Sequence, residues 1–497
     1  MRSISINFFK LFVCLFLFGV ADLFPATPIA SVSDWNSFVS GTLLDSNGYY
    51  YLDADIGSLS APVDRMYSGT FTGYLDGMGK KITVNISSNS TNVGLFSQLG
   101  SGSAVNDLII DGSITGTSSN ANVGGLVGLM LGSYVSHITN FANVTGSGVN
   151  SSVGGIAGRS VPTWYSFNSF YITYMFQCNN SGTISGGHYV AGIIGSVIDT
   201  IGSDTHILSC RNSGTITGSG QSQNSMGGII GYISCGALAV SSAVNVGKIL
   251  SINSDYAGGI VGFIDKNRDL TVALVCLSLN SGIVAGGNIG VGGIVGYANN
   301  SVGVFRPLHI GSSINTNWVT GGATYSGGII GRSSNCEFSD CFYDNQMCLL
   351  GGIGGVDVSG QAEGVPTLGM LGNNLSISSS STLVQLYPLP GRSTHTDLHP
   401  IELLAIAPMY LMNNEKINNI TTFPFYVSNG DSYCPPSFTQ LPASPYSYQW
   451  SSFSNGTIIN VPASPSNNVT KNNSGQDTLR VKIDNEPYEK VVPVNAP

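Results

Sequence analysis

A short apolar phrase with glycine at fixed places returns along the middle of the chain. It reads NVGLF at Asn92 and then VGGLVG, VGGIAG, VAGIIG, MGGIIG, AGGIVG, VGGIVG and SGGIIG. The seven longer phrases start at Val123, Val153, Val190, Met226, Ala257, Val291 and Ser326. Successive starts lie 30, 37, 36, 31, 34 and 35 residues apart. This repetition predicts a stacked array, because one unit of about 34 residues cannot bury its apolar face without neighbours.

A second phrase, which begins with asparagine, recurs once in each repeat together with the first. Its members are Asn140, Asn180, Asn212, Asn245, Asn280 and Asn315, each followed four residues later by Val or Ile. Glycine inside a helix costs about 1 kcal/mol, so the phrases favour short strands with glycine at the corners. We predict an all-β fold, a parallel β-solenoid (β-helix) that is right-handed, with coils stacked at roughly 4.7–4.9 Å. Ile184, Ile216 and Ile249 should then lie in line inside it, and each asparagine amide should bond within a turn.

The two interleaved phrases resemble the GLUG repeat of bacterial and protist surface proteins. The upstream text FTGYLDGMGKKI (Phe71–Ile82) resembles the lead-in of such arrays, and CFYDNQMCLLGGIGG (Cys341–Gly355) resembles their closing phrase. The resemblance implies an extracellular or cell-surface repeat protein, often adhesin-like and in some cases attached to a surface protease. It implies no activity for the repeats themselves.

The two ends of the chain differ from the array. The apolar run Leu11–Val20 follows Arg2 and precedes small residues, which predicts a secretory signal peptide, since ten apolar residues are too few for the roughly 20 that span a bilayer. Near the C-terminus, YQWSSFSNGTIINVP, DTLRVKI and EKVVPV alternate apolar and polar residues, which predicts a small β-sandwich. This region resembles a bacterial immunoglobulin-type domain with Trp450 in its core. The predicted domains are 1–30 (signal peptide), 31–90 (N-terminal capping segment), 91–372 (GLUG-type solenoid), 373–400 (linker) and 401–497 (immunoglobulin-like sandwich).

Charge and hydropathy restrict the location and the partners. Only 9% of the residues are charged, against about a quarter in typical proteins, and the net charge is −9. Because phosphate binding needs clustered Lys and Arg, nucleic acid is excluded as an expected partner. No later apolar run reaches membrane-spanning length, so we expect a secreted or surface-associated mature chain without a transmembrane segment.

Export makes glycosylation and disulfides the modifications to consider. The candidate N-glycosylation sites are Asn85, Asn143, Asn150, Asn299 and Asn455, each in an N-x-[ST] sequon. The disulfide candidates are Cys178, Cys210, Cys336, Cys341 and Cys348. Cys178 and Cys210 hold the same position in consecutive coils, at a spacing compatible with a bridge or with two buried reduced thiols. The last three cysteines lie at the end of the array, where they could cap it.

Catalytic and metal-binding signatures are weak. Glycan-cleaving enzymes need paired carboxylates at fixed separation, whereas Asp199, Asp204, Asp255, Asp265 and Asp269 share no repeat position. The zinc-like pair His395 and His399 has Thr396 where a zincin has its glutamate, and Pro400 disfavours the helix that the pair would need. We therefore predict no metal, no cofactor and no enzymatic activity. The alternative is a secreted β-helix enzyme that acts on polysaccharide.

The longest break in the repeat rhythm is rich in aromatic residues. It reads WYSFNSFYITYMF from Trp164 to Phe176. Trp164, Tyr165, Phe167, Phe170 and Tyr171 are the candidate partner-binding residues, because exposed aromatic patches stack on sugars or bind proteins. The other interpretation is that these side chains pack on the flank of the solenoid. The predicted function is a non-catalytic, adhesin-like or structural protein that binds a glycan or a surface protein through its solenoid loops.

Overall fold

The structure is a computed structural model in which the placement of part of the chain is described. The described residues are 26–43, 48–162, 164–166, 169–170, 172–198, 204–218, 224–235, 238–251, 254–267, 273–301, 308–321, 324–345, 348, 350–365 and the strands of the C-terminal region given below. Three parallel sheets wind around one apolar core and form a β-solenoid. The all-β class and the parallel stacking of coils are therefore confirmed. The handedness stays a prediction.

Sheet 1 has 25 strands and supplies two or three strands to most coils. Its strands are Thr27–Ile29, Tyr49–Leu52, Tyr74–Asp76, Lys81–Ser88, Ala104–Gly116, Tyr134–Asn140, Asn143–Gly146, Ile172–Phe176, Asn179–Asn180, Ile184–Gly186, Asp204–Leu208, Arg211–Asn212, Ile216–Gly218, Leu238–Ser241, Val244–Asn245, Ile249–Ser251, Ala273–Cys276, Leu279–Asn280, Val284–Gly286, Leu308–Gly311, Ile314–Asn315, Val319–Thr320, Cys336–Ser339, Cys341–Asp344 and Ala362–Val365.

Sheets 2 and 3 complete each coil with one strand apiece. Sheet 2 contains Tyr67–Phe71, Phe96–Leu99, Val127–Met130, Ala157–Ser160, Ile194–Ile198, Ile230–Cys235, Val261–Lys266, Val295–Asn300 and Ile330–Ser334. Sheet 3 contains Asn92–Val93, Asn122–Gly124, Ser152–Gly154, Tyr189–Ala191, Ser225–Gly227, Tyr256–Gly258, Gly290–Gly292 and Tyr325–Gly327. The chain passes from sheet 3 to sheet 2 through each glycine phrase and then returns to sheet 1.

Apolar columns fill the interior. Ile184 pairs in register with Ile216, and Ile216 with Ile249, so the predicted line of isoleucines is confirmed. All three side chains are fully buried, as are the isoleucines at the fourth or fifth position of the phrases, such as Ile193 and Ile229. Burial of such a side chain contributes about 1.5–3 kcal/mol. Each coil therefore depends on the coil before and after it for its core.

A buried ladder of asparagines runs along the same interior. In each of the six, Nδ2 donates to a carbonyl oxygen two residues ahead at 2.9–3.1 Å. From Asn140 to Asn280, Nδ2 also donates to Oδ1 of the asparagine in the next coil at 2.8 Å. The within-turn bond is the predicted one. The bond between coils was not anticipated, although in-register stacking of an amide provides it.

The second glycine of the phrase makes room for this ladder. A Cβ at Gly228 would overlap both the Asn245 side chain and the carbonyl oxygen of Gly259 in the next coil. Gly155, Gly192, Gly259 and Gly293 meet their own ladder asparagines in the same way. Glycine at this position is therefore a packing requirement between two columns that lie far apart in sequence.

At one position of sheet 1, eight coils each have a non-glycine residue with a left-handed backbone. These residues are Asp107, His137, Gln177, Ser209, Ser242, Leu277, Ser312 and Asp340, with φ between 46° and 58°. They lie on sheet 1 between two inward columns. Because the conformation costs an L-residue roughly 1–2 kcal/mol, the stacked coils on either side must hold it in place.

The two ends of the solenoid are closed differently. At the N-terminal end, the helix Val32–Val39 is capped by Ser31, and its Trp35 and Phe38 pack against Phe96. Thr27–Ile29 pairs with the strand Tyr49–Leu52. At the other end, Tyr343 takes the ladder position after Asn315, and its hydroxyl donates to Asp357 Oδ1 at 2.8 Å.

The C-terminal region also contains strands. Five of them form one sheet, Phe425–Tyr426, Tyr448–Ser454, Thr457–Val461, Asp477–Ile483 and Lys490–Asn495, and Ser432–Tyr433 pairs with Val469–Thr470. The sandwich packing and the immunoglobulin assignment stay predictions. The linker at 373–400 lies outside the described residues. Among the residues that are described, no helix has the length and apolar character needed to cross a bilayer.

Candidate binding surface

An aromatic stripe follows the outer corner between sheets 3 and 2. It consists of Tyr189, Tyr232, Tyr256, Phe263, Tyr297 and Tyr325. Tyr189, Tyr256 and Tyr325 belong to one register column of sheet 3, in which Ser225 and Gly290 occupy the coils between them. Tyr232, Phe263 and Tyr297 belong to one column of sheet 2, which ends at Arg332. The stripe therefore extends along the solenoid axis over five coils, about 19 Å at the usual strand spacing.

The glycine phrase explains why these rings meet. Each sheet 3 tyrosine directly precedes a phrase, and each sheet 2 member directly follows one. The turn is so tight that the outer faces of the two sheets come together, as the 2.7 Å hydrogen bond between the Ser152 and Ser196 hydroxyls shows. Aromatic residues at both flanks of the phrase are thus the signal from which the stripe could have been predicted.

The rings stack mostly on one another. Tyr189 and Tyr232 lie 4.4 Å apart at 12°, and Phe263 and Tyr297 lie 4.9 Å apart at 8°. The Arg332 guanidinium lies over Tyr297 and Tyr325, with its Cζ at 5.0 and 5.1 Å from the ring centroids. The five rings from Tyr189 to Tyr297 are partly exposed, and Tyr325 and the Arg332 cation are exposed.

The phenol groups of Tyr189 and Tyr256 stay protonated at neutral pH. Burial, with a contribution from Tyr232, raises the pKa of Tyr189 to about 12, although Arg159 acts in the opposite direction. Burial also raises the pKa of Tyr256, with Asp255 and Tyr297 adding to the effect and Arg332 opposing it. These hydroxyls can therefore donate and accept hydrogen bonds, but they are poor bases and nucleophiles. The arrangement is suited to binding.

The first part of the predicted aromatic insertion forms a hairpin, whereas its last strand, Ile172–Phe176, belongs to sheet 1. Trp164–Ser166 pairs antiparallel with Ser169–Phe170 in a two-stranded sheet of its own, apart from the three solenoid sheets. Trp164, Tyr165 and Phe170 belong to its strands, whereas Phe167 and Tyr171 lie outside the described residues. Partner binding by these residues stays a prediction.

Asp265, one of the acidic residues weighed above as part of a glycan-cleaving site, faces uncharged neighbours in adjacent coils. Asp265 stacks between Ser234 and Asn299 and accepts a 2.9 Å hydrogen bond from Asn299 Nδ2. Asp204 pairs with Ile172. Asp199 and Asp269 fall outside the described residues, as do His395, His399 and Glu402. Within the described ranges, no three His, Cys, Asp or Glu residues are grouped so that they could hold a metal ion.

The predicted disulfides are not formed in this structure. Cys178, Cys210, Cys336, Cys341 and Cys348 are all free thiols. Cys178 and Cys210 do stack in adjacent coils, as their neighbours Asn179 and Arg211 pair in register. Parallel in-register stacking places the two Cβ atoms about one strand spacing apart, roughly 4.8 Å, which exceeds the 3.5–4.5 Å that a disulfide prefers. Cys178 and Cys210 are therefore two buried reduced thiols, which is the alternative given above. Burial also raises the pKa of the Cys341 thiol to about 12.

The candidate glycosylation sites differ in access. Asn85, Asn143 and Asn150 are exposed, whereas Asn299 is partly buried and donates through Nδ2 to Asp265. Asn150 also donates through Nδ2, to Asn120 Oδ1 at 3.0 Å, while Asn85 and Asn143 accept through Oδ1. Since a glycan is attached to Nδ2, the last two are the better placed acceptors. Asn455 lies outside the described residues, and glycosylation itself stays a prediction.

The chain has a low similarity to one solved bacterial protein. No family model matches the chain, and no curated protein matches it. Among solved structures it is similar to a Bacteroides ovatus protein whose name describes it as a candidate immunoglobulin A1 protease. The two are 16% identical, the match covers 73% of this chain and 88% of that chain, and the TM-score is 0.33. The resemblance to GLUG-repeat proteins therefore stays a prediction.

Proposed function

We propose that the chain is a non-catalytic, secreted or cell-surface repeat protein of the GLUG type that binds a glycan or a protein partner along its outer surface. The aromatic stripe carries this proposal. Its residues lie outside the interior columns, and its rings are partly or fully exposed beside the exposed Arg332 side chain. Aromatic rings with a polar edge are favoured where a surface must bury apolar area and form hydrogen bonds together.

The repeated residues support a structural role for the interior. The ladder asparagines bond to one another, and the phrase glycines provide space for turns and for that ladder. Because the repeat signature is accounted for by packing, specificity has to come from positions that differ between coils. The stripe and the Trp164–Phe170 hairpin are two such regions.

The test is a glycan and surface-protein binding array with the full chain. We expect a Tyr297→Ala, Tyr325→Ala double variant to lose binding at least about tenfold, because hot-spot aromatics dominate such interfaces. Tyr49→Ala, a partly exposed tyrosine on sheet 1, is the matched control and should bind as the parent does. A third variant with residues 163–171 replaced by a short Gly-Ser linker tests the hairpin.

Two results would contradict the proposal. Equal binding by all three variants and the parent would exclude the stripe and the hairpin as contacts. Release of new reducing ends from a bound polysaccharide would favour the alternative, a secreted β-helix enzyme. The circular dichroism spectrum of each variant checks that the solenoid is retained.

A further inference from the structure

The sheet 2 column of the stripe has an arginine at each end, and the two arginines differ in access. The column runs in register through Arg159, Ser196, Tyr232, Phe263, Tyr297 and Arg332. Arg332 is exposed, and its guanidinium lies over Tyr297 and Tyr325, the last two rings of the stripe. Arg159 is only partly exposed, its Nε is buried, and Ser196 separates it from the first ring of the column. The accessible positive charge is therefore concentrated at the Arg332 end.

The Arg332 guanidinium forms no ion pair within the part of the chain that the structure describes. Its contacts with Tyr297 and Tyr325 are with ring faces, which attract a cation without neutralising it. A planar guanidinium binds a carboxylate through two parallel N–H···O bonds. The two rings also restrict the side chain, so less rotamer freedom is lost when an anion binds. This end of the stripe is therefore suited to one carboxylate.

The middle of the stripe is unfavourable for an anion. Asp255 directly precedes Tyr256, and its charge adds to the effect of burial in raising the pKa of that phenol. Asp265 follows Phe263 by two residues in the same strand, so both side chains lie on the outer face. A ligand with closely spaced anionic groups would bring like charges against these two carboxylates. The part of the ligand that lies here is therefore neutral.

The tyrosines of sheet 3 recur in every second coil. Tyr189, Tyr256 and Tyr325 are separated in register by Ser225 and Gly290, so successive tyrosines lie about 10 Å apart along the axis. An extended peptide presents side chains on one face at roughly 7 Å intervals, which does not match this period. Two linked sugar rings of an extended glycan have about the required length, and their hydroxyl groups can bond to protonated phenols. The period therefore favours a glycan over a peptide strand.

We propose that the stripe binds an extended glycan of neutral two-sugar repeats that ends in a carboxylate-bearing sugar. The terminal carboxylate binds the Arg332 guanidinium, and the neutral repeats lie along the rings from Tyr325 towards Tyr189. This inference rests on the proposed function of the stripe and selects one class of ligand from the glycans and proteins proposed there.

Two probes that differ in one carboxylate test the contact. They are fluorescent poly-N-acetyllactosamine oligosaccharides of equal length, with and without a terminal sialic acid, and fluorescence anisotropy measures their binding to the full chain. We expect the parent to bind the sialylated probe at least about tenfold more tightly, because it adds an arginine–carboxylate contact. Arg332→Gln should remove this preference and leave the affinity for the neutral probe within about twofold. Arg159→Gln, at the other end of the same column, is the matched control and should retain the preference.

The other outcomes would overturn the inference. Equal affinity of the parent for both probes, no binding of either probe, or a preference that survives Arg332→Gln would exclude a carboxylate site at Arg332. A preference that is lost in Arg159→Gln instead would place the carboxylate at the wrong end. If the parent binds both probes equally and the Tyr297→Ala, Tyr325→Ala variant binds neither, this inference fails while the proposed function of the stripe stands. Equal binding of both probes by every variant, the tyrosine variant included, would contradict both. Circular dichroism confirms that each variant is folded.

Discussion

The first coil of the array and the coils that follow it have different residues and different strand lengths at the ladder position of sheet 1. In the first coil, Ile110 occupies the ladder position, and the strand Ala104–Gly116 runs through it without interruption. From the next coil on, asparagine takes the position, and the strand stops there: Tyr134–Asn140 ends and Asn143–Gly146 begins. The asparagine amide bonds to the Ala142 carbonyl oxygen, which the interrupted strand leaves without its ladder partner.

The length of the glycine phrase changes together with the residue at the ladder position. Val93 pairs with Val123 and Phe96 with Val127, so NVGLF in the first coil has one residue fewer between these two register positions than VGGLVG has. The missing residue corresponds to Gly125, which faces the Asn140 side chain. The coil interior is therefore packed in one of two ways. Either isoleucine at the ladder position faces a shorter glycine turn, or asparagine at that position faces a turn with a second glycine. The comparison shows that these two repeat features form one structural unit.

The largest expected effect comes from filling the space beside the ladder. Gly228→Ala places a methyl group against the Asn245 side chain and the Gly259 carbonyl oxygen. Because backbone and a fully bonded side chain must both move, we expect a loss of about 4 kcal/mol in the free energy of unfolding. Urea denaturation measures it. Gly69→Ala, whose Cβ would lie 3.5 Å from its nearest neighbour, is the control, and equal effects would contradict the proposed unit.

Removing one amide from the ladder is the next largest change. Asn245→Ala removes two bonds between coils and the bond to the Gly247 carbonyl oxygen. We expect a loss of about 2–3 kcal/mol, because buried partners are left unsatisfied. Asn140→Ala removes only one bond between coils and should cost less in the same denaturation experiment. Equal losses of unfolding free energy for Asn140→Ala and Asn245→Ala would show that the bonds between coils do not contribute to stability.

Both kinds of coil contain a left-handed residue on sheet 1, and replacing it with glycine should slightly increase stability. Gln177 is exposed and left-handed at φ 51°, like Asp107 in the first coil. Gln177→Gly should stabilise the chain by about 0.5 kcal/mol, as relief of the left-handed strain exceeds the entropy cost of glycine. Gln98→Gly, in a sheet 2 strand, should instead destabilise it. A shift of the unfolding midpoint in the same direction for both variants would contradict this account.

The last effect is absent at neutral pH, appears only at alkaline pH and concerns the later coils alone. Because the pKa of Tyr189 is raised to about 12, above the ordinary value of 10.0, its contribution to stability is complete below pH 10. That contribution is lost as the pH rises from 10 towards 12, where the unfolded chain ionises first. Tyr189→Phe should reduce the alkaline loss of stability, and the parent-minus-variant phenolate absorbance should have its midpoint near 12. A midpoint near 10 would contradict burial of this ring in the stripe.

Much of the fold followed from the spacing of glycine, asparagine and β-branched residues. The period predicts stacked coils, and the alternation predicts which isoleucines form columns, because both are local patterns repeated in register. Of the two alternatives for Cys178 and Cys210, a bridge or two reduced thiols, the structure has the reduced thiols, and geometry gives the reason. Equal positions in adjacent coils are close, but parallel in-register stacking directs both Cβ atoms the same way. The ranking of the glycosylation sites likewise required the hydrogen bonds that their amides form.

The amino-acid sequence by itself determined the period, the β class and the residues of the interior, since each of these depends on a pattern that one coil shares with the next. Tertiary structure alone decided which outer residues meet. Tyr189 and Tyr232 lie far apart along the chain, and they stack because a glycine turn folds the outer faces of two sheets together.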